Sequence, residues 1–375
     1  MYYPDSSGST LTFSQTDEDC SDDNLIIIGP AENLVSTLLQ GKIVSAELIK
    51  LVRRAPYSTL PNQTHQPANR VYPKTMIYQL PLFSFGTLLD PAVQQYVFGS
   101  TLTHSRGSLA NMHFTEVPIN DPAVIAASGL AVHRGLASHL GSSIDGGLLA
   151  LSSEQLTQAD AYEVSAYARR RVLTTDGNQA WAYLNARPLA SAERIGIIGD
   201  GIAYGRSDAR GGWAQLLHST HLARNEDRHR LWNFAIPGEK LSNLADYAPA
   251  ELARRSIDTV IIGAGINDLI AGTSSAALLQ EVENLCTILE VEGRRPVVLT
   301  PLWLNTEQAA QDFGVSVSLS TVLDYRNLLL TWGTRTYRDV IDLYPVLEEL
   351  PEYLIDGIHP DAGGHELIYQ ALSTG

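Results

Sequence analysis

Residues 194–201 read RIGIIGDG and residues 258–268 read DTVIIGAGIND. Each is a short apolar run that ends in a glycine turn, as a buried strand does. Working outward, the same pattern recurs in LWNFAI at 231–236, RPVVLTP at 295–301 and YRDVIDLY at 337–344. Helical stretches lie between the runs, near 211–222, 242–254, 273–292 and 317–334. Strands that alternate with helices predict a parallel sheet with helices on both faces. In such a sheet the chemistry gathers at the carboxyl ends of the strands.

Upstream the pattern differs. IYQLPLFSFGTL at 77–88 reads as a strand running into a glycine turn, and DGGLLALS at 145–152 as another strand. SSEQLTQADAYEV at 152–164 reads as a helix opened by Ser152 or Ser153. RRRVLTTDGNQAWAYL at 169–184 reads as a hairpin turning at Asp176-Gly177, the strongest short-range hairpin signal. The expected organisation is an acidic disordered tail over 1–24, a helical arm and linker over 25–76, a mixed α+β domain over 77–190 and an α/β domain over 191–375. In the arm, Leu34, Leu38, Leu48 and Leu51 carry the helical spacing, and they are expected to pack on one of the domains because isolated short helices are marginal in water.

Composition bounds the function. The 375 residues hold 26 Lys and Arg against 41 Asp and Glu. A net charge of -15 excludes a general nucleic-acid binder, which needs surplus cations to neutralise phosphate. No apolar run approaches the span of a membrane helix. The first 41 residues contain no Lys or Arg, so the basic region that opens a secretory signal is missing. Two cysteines, Cys20 and Cys286, cannot build a disulfide framework and have no zinc-ligand spacing. The expectation is a reduced, cytoplasmic protein with no metal, no cofactor, and no nucleic-acid or membrane partner. Its expected partner is a small-molecule substrate, and the oligomeric state is left open.

Four groups stand at turns of the C-terminal half: Gly199-Asp200-Gly201, Pro237-Gly238, Gly265-Ile266-Asn267-Asp268 and Asp356-Gly357-Ile358-His359. His359 is a candidate general base, and Asp356 can hold its tautomer and stabilise the imidazolium. Backbone N–H groups of Gly238 and of the first turn, with the Asn267 amide, are candidates for an oxyanion hole. In this order the motifs resemble those of the SGNH (GDSL) hydrolase family, whose sheet is flavodoxin-like. The resemblance implies esterase or acyltransferase chemistry and assigns Gly238 and Asn267 to the oxyanion set. Asp356 and His359 become the remaining dyad. The family's nucleophilic Ser falls on Gly201, which keeps the N–H and has no Oγ. Three readings are open: an engineered Ser-to-Gly trap, a natural pseudo-hydrolase, or an enzyme in which His359 activates water.

LFSFGTLLDPAVQQYVFG at 82–99, DPAVIAASG, LTQADAYEVSAYARRRV at 156–172 and AWAY resemble the gamma-glutamylcyclotransferase-like family. That resemblance implies a small β-barrel with Glu163 as its catalytic acid. Gly86, Thr87 and Leu88 match the loop that cradles a γ-glutamyl group, with Phe85 where the family usually has Tyr. A single carboxylate with a raised pKa can take a proton from an attacking amine and hand it to the leaving amine. The competing reading pairs Glu163 with Arg169, Arg170 or Arg171. His104, His113, His133 and His139 read as surface or satisfied polar groups, and Trp213, Trp232, Trp303 and Trp332 as core or pocket lining. Together the expectation is a bifunctional enzyme of amide and ester chemistry. The alternative is a pseudoenzyme in which one or both pockets hold ligand without turnover.

Overall fold

The computed structural model describes residues 80–118, residue 122 and residues 131–374, together with the backbone of three short N-terminal strands. The chain divides into two units, Met1–Thr75 and Met76–Gly375. In the first, β1 (Tyr3–Pro4), β2 (Thr10–Thr12) and β3 (Ile27–Ile28) form an antiparallel sheet. Two of these strands fall where a disordered tail is expected, and the third at the start of the expected helical arm. The rest of both segments, including Leu34, Leu38, Leu48, Leu51 and Cys20, lies outside the described residues.

The second unit begins with a five-stranded mixed sheet. Its strands are β4 (Leu82–Ser84), β5 (His104–Pro118), β6 (Val132–Leu149), β7 (Tyr167–Leu173) and β8 (Gln179–Asn185), in spatial order β5-β6-β4-β8-β7. β7 and β8 form the hairpin over Asp176-Gly177. The two edge strands meet: Leu109 bridges Thr174, and the Thr175 N–H donates to the Ser108 carbonyl at 2.8 Å. That contact curls the sheet towards a barrel around Phe83, Leu109, Leu136, Ile144 and Leu184. Two helices flank it, α1 (Pro91–Phe98) and α2 (Ser153–Tyr162). Ser152 caps α2 with a reciprocal capping box through Gln155, which fixes the helix start without tertiary help.

The C-terminal part is a parallel sheet of β9 (Arg194–Gly199), β10 (Arg230–Asn233), β11 (Thr259–Gly263), β12 (Arg295–Leu299) and β13 (Asp339–Ile341). The order β10-β9-β11-β12-β13, all parallel, is the flavodoxin-like 2-1-3-4-5 arrangement. Alternate strand residues feed two cores. Ile198, Val260, Ile262 and Val298 pack with α5 (Leu241–Arg254), α7 (Ser275–Val291) and α9 (Leu319–Thr336). Ile195, Ile197, Ile261 and Leu299 pack on the other face with α4 (Gly212–Arg224) and α10 (Ala362–Thr374). Both faces are therefore covered, as a parallel sheet requires. Three short helices at the carboxyl side were not expected: α3 (Gly201–Tyr204), α6 (Ile266–Ile270) and α8 (Thr306–Phe313).

A charged seam joins the mixed sheet to the amino ends of the parallel strands. Buried Asp339 accepts from Arg170 of β7 and from Arg295 of β12, the latter at 2.6 Å. Arg171 pairs with Glu290, which also receives Arg338. Removing one partner of a buried pair leaves the other charge uncompensated, at a cost of about 3–5 kcal/mol. Burial opposes ionisation of Asp339, but Arg295 and Arg170 outweigh it and hold the carboxyl below its ordinary value. Its contribution is present above about pH 4 and is lost on acidification. We expect Asp339→Ala to lower the urea midpoint by a loss of that size at pH 7 and to flatten the acid limb of the stability curve. Unchanged midpoints would show that the seam adds nothing.

Candidate active sites

The first site forms where β9 ends. The Asp200 N–H donates to the Gly263 carbonyl at 3.1 Å, and the Ile236 N–H to the Gly199 carbonyl at 2.9 Å. These bonds bring the ends of β10 and β11 against the turn after β9. Gly199 has φ +152°, and a Cβ there would collide with the Gly263 carbonyl, so only glycine fits. Asp200 is buried, caps α3 by accepting from the Ile202 N–H at 3.0 Å, and is pushed up to about 7 by burial.

Gly201 opens α3 and is buried. A Cβ built on it would lie 3.3 Å from His359 Nε2 and 3.7 Å from His359 Cδ2. The His359 Nδ1–H donates to Asp356 Oδ2 at 2.8 Å, which leaves Nε2 bare towards Gly201. Asp356 Oδ1 also accepts the N–H groups of His359 at 2.8 Å and Ile358 at 3.0 Å. Burial opposes ionisation of Asp356, but these bonds keep its carboxyl below the ordinary value. Burial holds the His359 imidazole down against the pull of Asp356. The result is a neutral base with a fixed tautomer. Gly357 (φ +80°) lets this loop pack on Asn305, whose N–H donates to its carbonyl at 3.0 Å.

Asn267, on α6, donates from Nδ2 to the Glu239 carbonyl at 2.9 Å, one residue beyond Gly238. Its neighbour Asp268 accepts the Leu241 N–H at 2.9 Å. The turn carrying Gly238 is thus tied to the turn carrying Asn267. Gly238 is exposed, with φ +82° and open space around it. The sequence reading missed Arg206 and Phe313. Arg206 donates its N–H to the Gly201 carbonyl at 2.9 Å, and its guanidinium lies 5.7 Å from the Phe313 ring. The Phe313 ring in turn lies 5.8 Å from that of His359.

The second site lies on the mixed sheet. α2 ends at Tyr162 and Glu163 is its C-cap, while Tyr167 already opens β7. Glu163 and Tyr167 therefore stand on either side of the loop between helix and strand, close enough for the Glu163 charge to act on the Tyr167 phenol. Burial pushes the Glu163 carboxyl up to about 7 and the Tyr167 phenol up to about 12. The three arginines are occupied elsewhere: Arg169 pairs with Asp160, Arg170 with Asp339 and Arg171 with Glu290. Among the described residues the Glu163 side chain has no hydrogen-bond or ion-pair partner.

The loop after β4 comes to this helix end, with the Tyr162 hydroxyl 3.3 Å from Thr87 Oγ1. Gly86 has open space where a Cβ would stand, and Leu88 is buried beneath. The tight turn over Thr87–Leu89 leaves its first N–H groups without partners inside the helix. Phe85 packs in a tilted arrangement at 5.3 Å against Phe114, which lies under Arg134. Of the histidines, His139 bonds Glu193 at 3.3 Å and packs against His113, while His104 is exposed. The His133 side chain lies outside the described residues. Trp213 and Trp332 are buried, and Trp232 and Trp303 pack at the core margin.

Residues 197–367 match the GDSL-like lipase/acylhydrolase family. Residues 82–200 match the gamma-glutamyl cyclotransferase, AIG2-like family. The chain thus joins a cyclotransferase-like segment to a GDSL-like segment, two enzyme families. Solved structures similar to this chain include an acetylxylan esterase from Geobacillus stearothermophilus, 18% identical, covering 48% of this chain and 93% of that one at TM-score 0.41. An alpha/beta hydrolase from the Lake Arreo metagenome is 21% identical, covering 48% and 94% at TM-score 0.41. A lipolytic protein of the G-D-S-L family from Desulfitobacterium hafniense is 18% identical, covering 48% and 98% at TM-score 0.41. No curated protein matches. Among the described residues no helix is long and apolar enough to cross a membrane.

The raised Glu163 value has a consequence for stability. A carboxyl whose folded pKa lies above its ordinary 4.5 stabilises the folded state below that value. The contribution is lost as pH rises through about 7. Comparing urea midpoints at pH 5 and pH 8, the native chain should lose more than Glu163→Gln. Equal losses would mean that Glu163 titrates as an exposed carboxyl.

Proposed function

We propose that the cyclotransferase-like segment releases 5-oxoproline from a γ-glutamyl amide, with Glu163 as acid and base. The observation that carries this is a carboxyl raised to about 7 with no partner among the described residues, beside a loop with open space at Gly86. In the reaction Glu163 takes a proton from the substrate's α-ammonium. The freed amine attacks the γ-carbonyl and closes a five-membered ring. The attacking nitrogen gives up a second proton as the C–N bond to the leaving amine breaks, and both protons depart on that amine by way of Glu163, so that 5-oxoproline keeps one N–H and the amine leaves as an ammonium. Proximity comes from the substrate itself, which makes the attack unimolecular. The loop of Phe85, Gly86, Thr87 and Leu88 holds the γ-glutamyl group through backbone N–H donors.

In the GDSL-like segment the proposed roles are His359 as base, Asp356 as its orienting partner, and the Gly201 N–H, the Gly238 N–H and the Asn267 amide as oxyanion donors. Gly201 removes the hydroxyl that an acyl-enzyme needs. Loss of a nucleophile costs about 10⁶ in kcat in a serine protease. A second reading, ligand binding without turnover, is favoured here by that one residue.

Two experiments separate the readings. Glu163→Gln should cut 5-oxoproline release from γ-glutamyl amides by about 10²–10⁴, and in the native chain the rate should rise with pH through about 7. No release by the native chain would leave the binding reading. Gly201→Ser should create hydrolysis of a short-chain aryl ester, because the φ of Gly201 suits any residue and His359 needs to yield only a few tenths of an ångström. Adding His359→Ala should remove most of that gain. Equal rates for the native chain and a folded Gly201→Ser would show that the hydroxyl is not what limits the cleft.

A further inference from the structure

We infer that Arg206 sets the substrate class of the GDSL-like cleft: an acyl compound carrying a carboxylate a few atoms from the scissile carbonyl, such as the half ester of a short dicarboxylic acid. The inference rests on the acyl-chemistry reading of that cleft. Arg206 Cδ lies 3.5 Å from where a Cβ on Gly201 would stand, and its guanidinium follows by way of Nε. It therefore sits beside the position where a reacting carbonyl would bind. Its backbone is fixed on both sides: the N–H donates to the Gly201 carbonyl at 2.9 Å, and the carbonyl accepts from His365 Nε2 at 2.9 Å.

The nearby acids are committed elsewhere. Asp208 pairs with Arg210, Asp356 with His359, and Asp361 accepts the Gly364 N–H at 2.8 Å. Among the described residues the exposed Arg206 guanidinium has no carboxylate partner. Its Cζ lies over the ring of Phe313, 43% exposed, which also borders His359. A weakly hydrated cation braced on an aromatic face presents its donor fork to a carboxylate at low entropic cost. In a chain of net charge -15, an unpaired cation at the cleft departs from the bulk electrostatics.

The test compares monomethyl glutarate with methyl pentanoate, which share chain length and differ in the carboxylate. Without a hydroxyl at 201 the native chain forms no acyl-enzyme there, so titration calorimetry, with ester hydrolysis followed in parallel, reads binding. We expect the half ester to bind at least tenfold tighter, with a preference that shrinks as salt is raised. Arg206→Gln should bring the ratio of affinities close to one, and Arg206→Lys should restore part of it. A ratio near one in the native chain, or one that survives Arg206→Gln, overturns the inference. Turnover of a neutral aryl ester by Gly201→Ser, with no preference for its anionic counterpart, would overturn it while leaving the acyl-chemistry reading in place. Neither binding nor turnover of any ester would remove both.

Discussion

The GDSL-like half is organised by one steric constraint: Gly199 and Gly263 approach so closely that no side chain fits between them. That approach lets the N–H after β9 reach the carbonyl that ends β11, while the β9 carbonyl takes the N–H of Ile236. Three chain turns are pinned to one another at the crevice where the strand order reverses. Gly201 inherits its position from this backbone knot, and the side chains of Asn267 and Asp268 tie the Gly238 turn to it. A Cβ at 199 would break the knot itself and not merely one contact.

The two sites relate differently to the seam between the sheets. Arg170, Arg171 and Arg295 join the mixed sheet to the amino ends of β12 and β13 and to α7. The Gly201 cleft forms at the opposite, carboxyl ends. A parallel sheet separates these ends by its strand length, so the cleft faces away from the seam. The seam is a structural joint between the two sheets, formed at the strand ends opposite those that carry the Gly201 turn.

What the sequence made legible follows from where the information lies. The five parallel strands are buried on both faces, so their apolar runs stand out locally, and the hairpin at Asp176-Gly177 carries its own turn chemistry. The 15 and 18 residues of β5 and β6 did not. HSRGSLANMHFTEVP has no clean alternation, because its faces are set by partners across the curled sheet. The dyad and the oxyanion candidates were readable as motifs. The freedom of Glu163 was not, because it depends on Arg169, Arg170 and Arg171 finding acids at 160, 339 and 290. Arg206 was missed for a related reason. An arginine after a glycine reads as loop, and only the fold shows that the acids near it are already bound.

The glycine at 201 can be weighed by what remains around it. The N–H, the bare Nε2 of His359 and the Asp356 contact all persist, and burial keeps the imidazole neutral. On the acyl-chemistry reading proposed for this site, what a serine at 201 would add is an oxygen held covalently beside that base. A water in its place can use the same base, but it must be captured and oriented, and that forfeits the effective molarity of about 10⁵–10⁸ M that a positioned group enjoys. Binding would suffer no such loss on that reading, since the proposed oxyanion donors and the Arg206 charge do not involve a hydroxyl at 201. On the proposed reading, chemistry and recognition at this site are separated by a single atom, so Gly201→Ser is expected to change turnover far more than affinity.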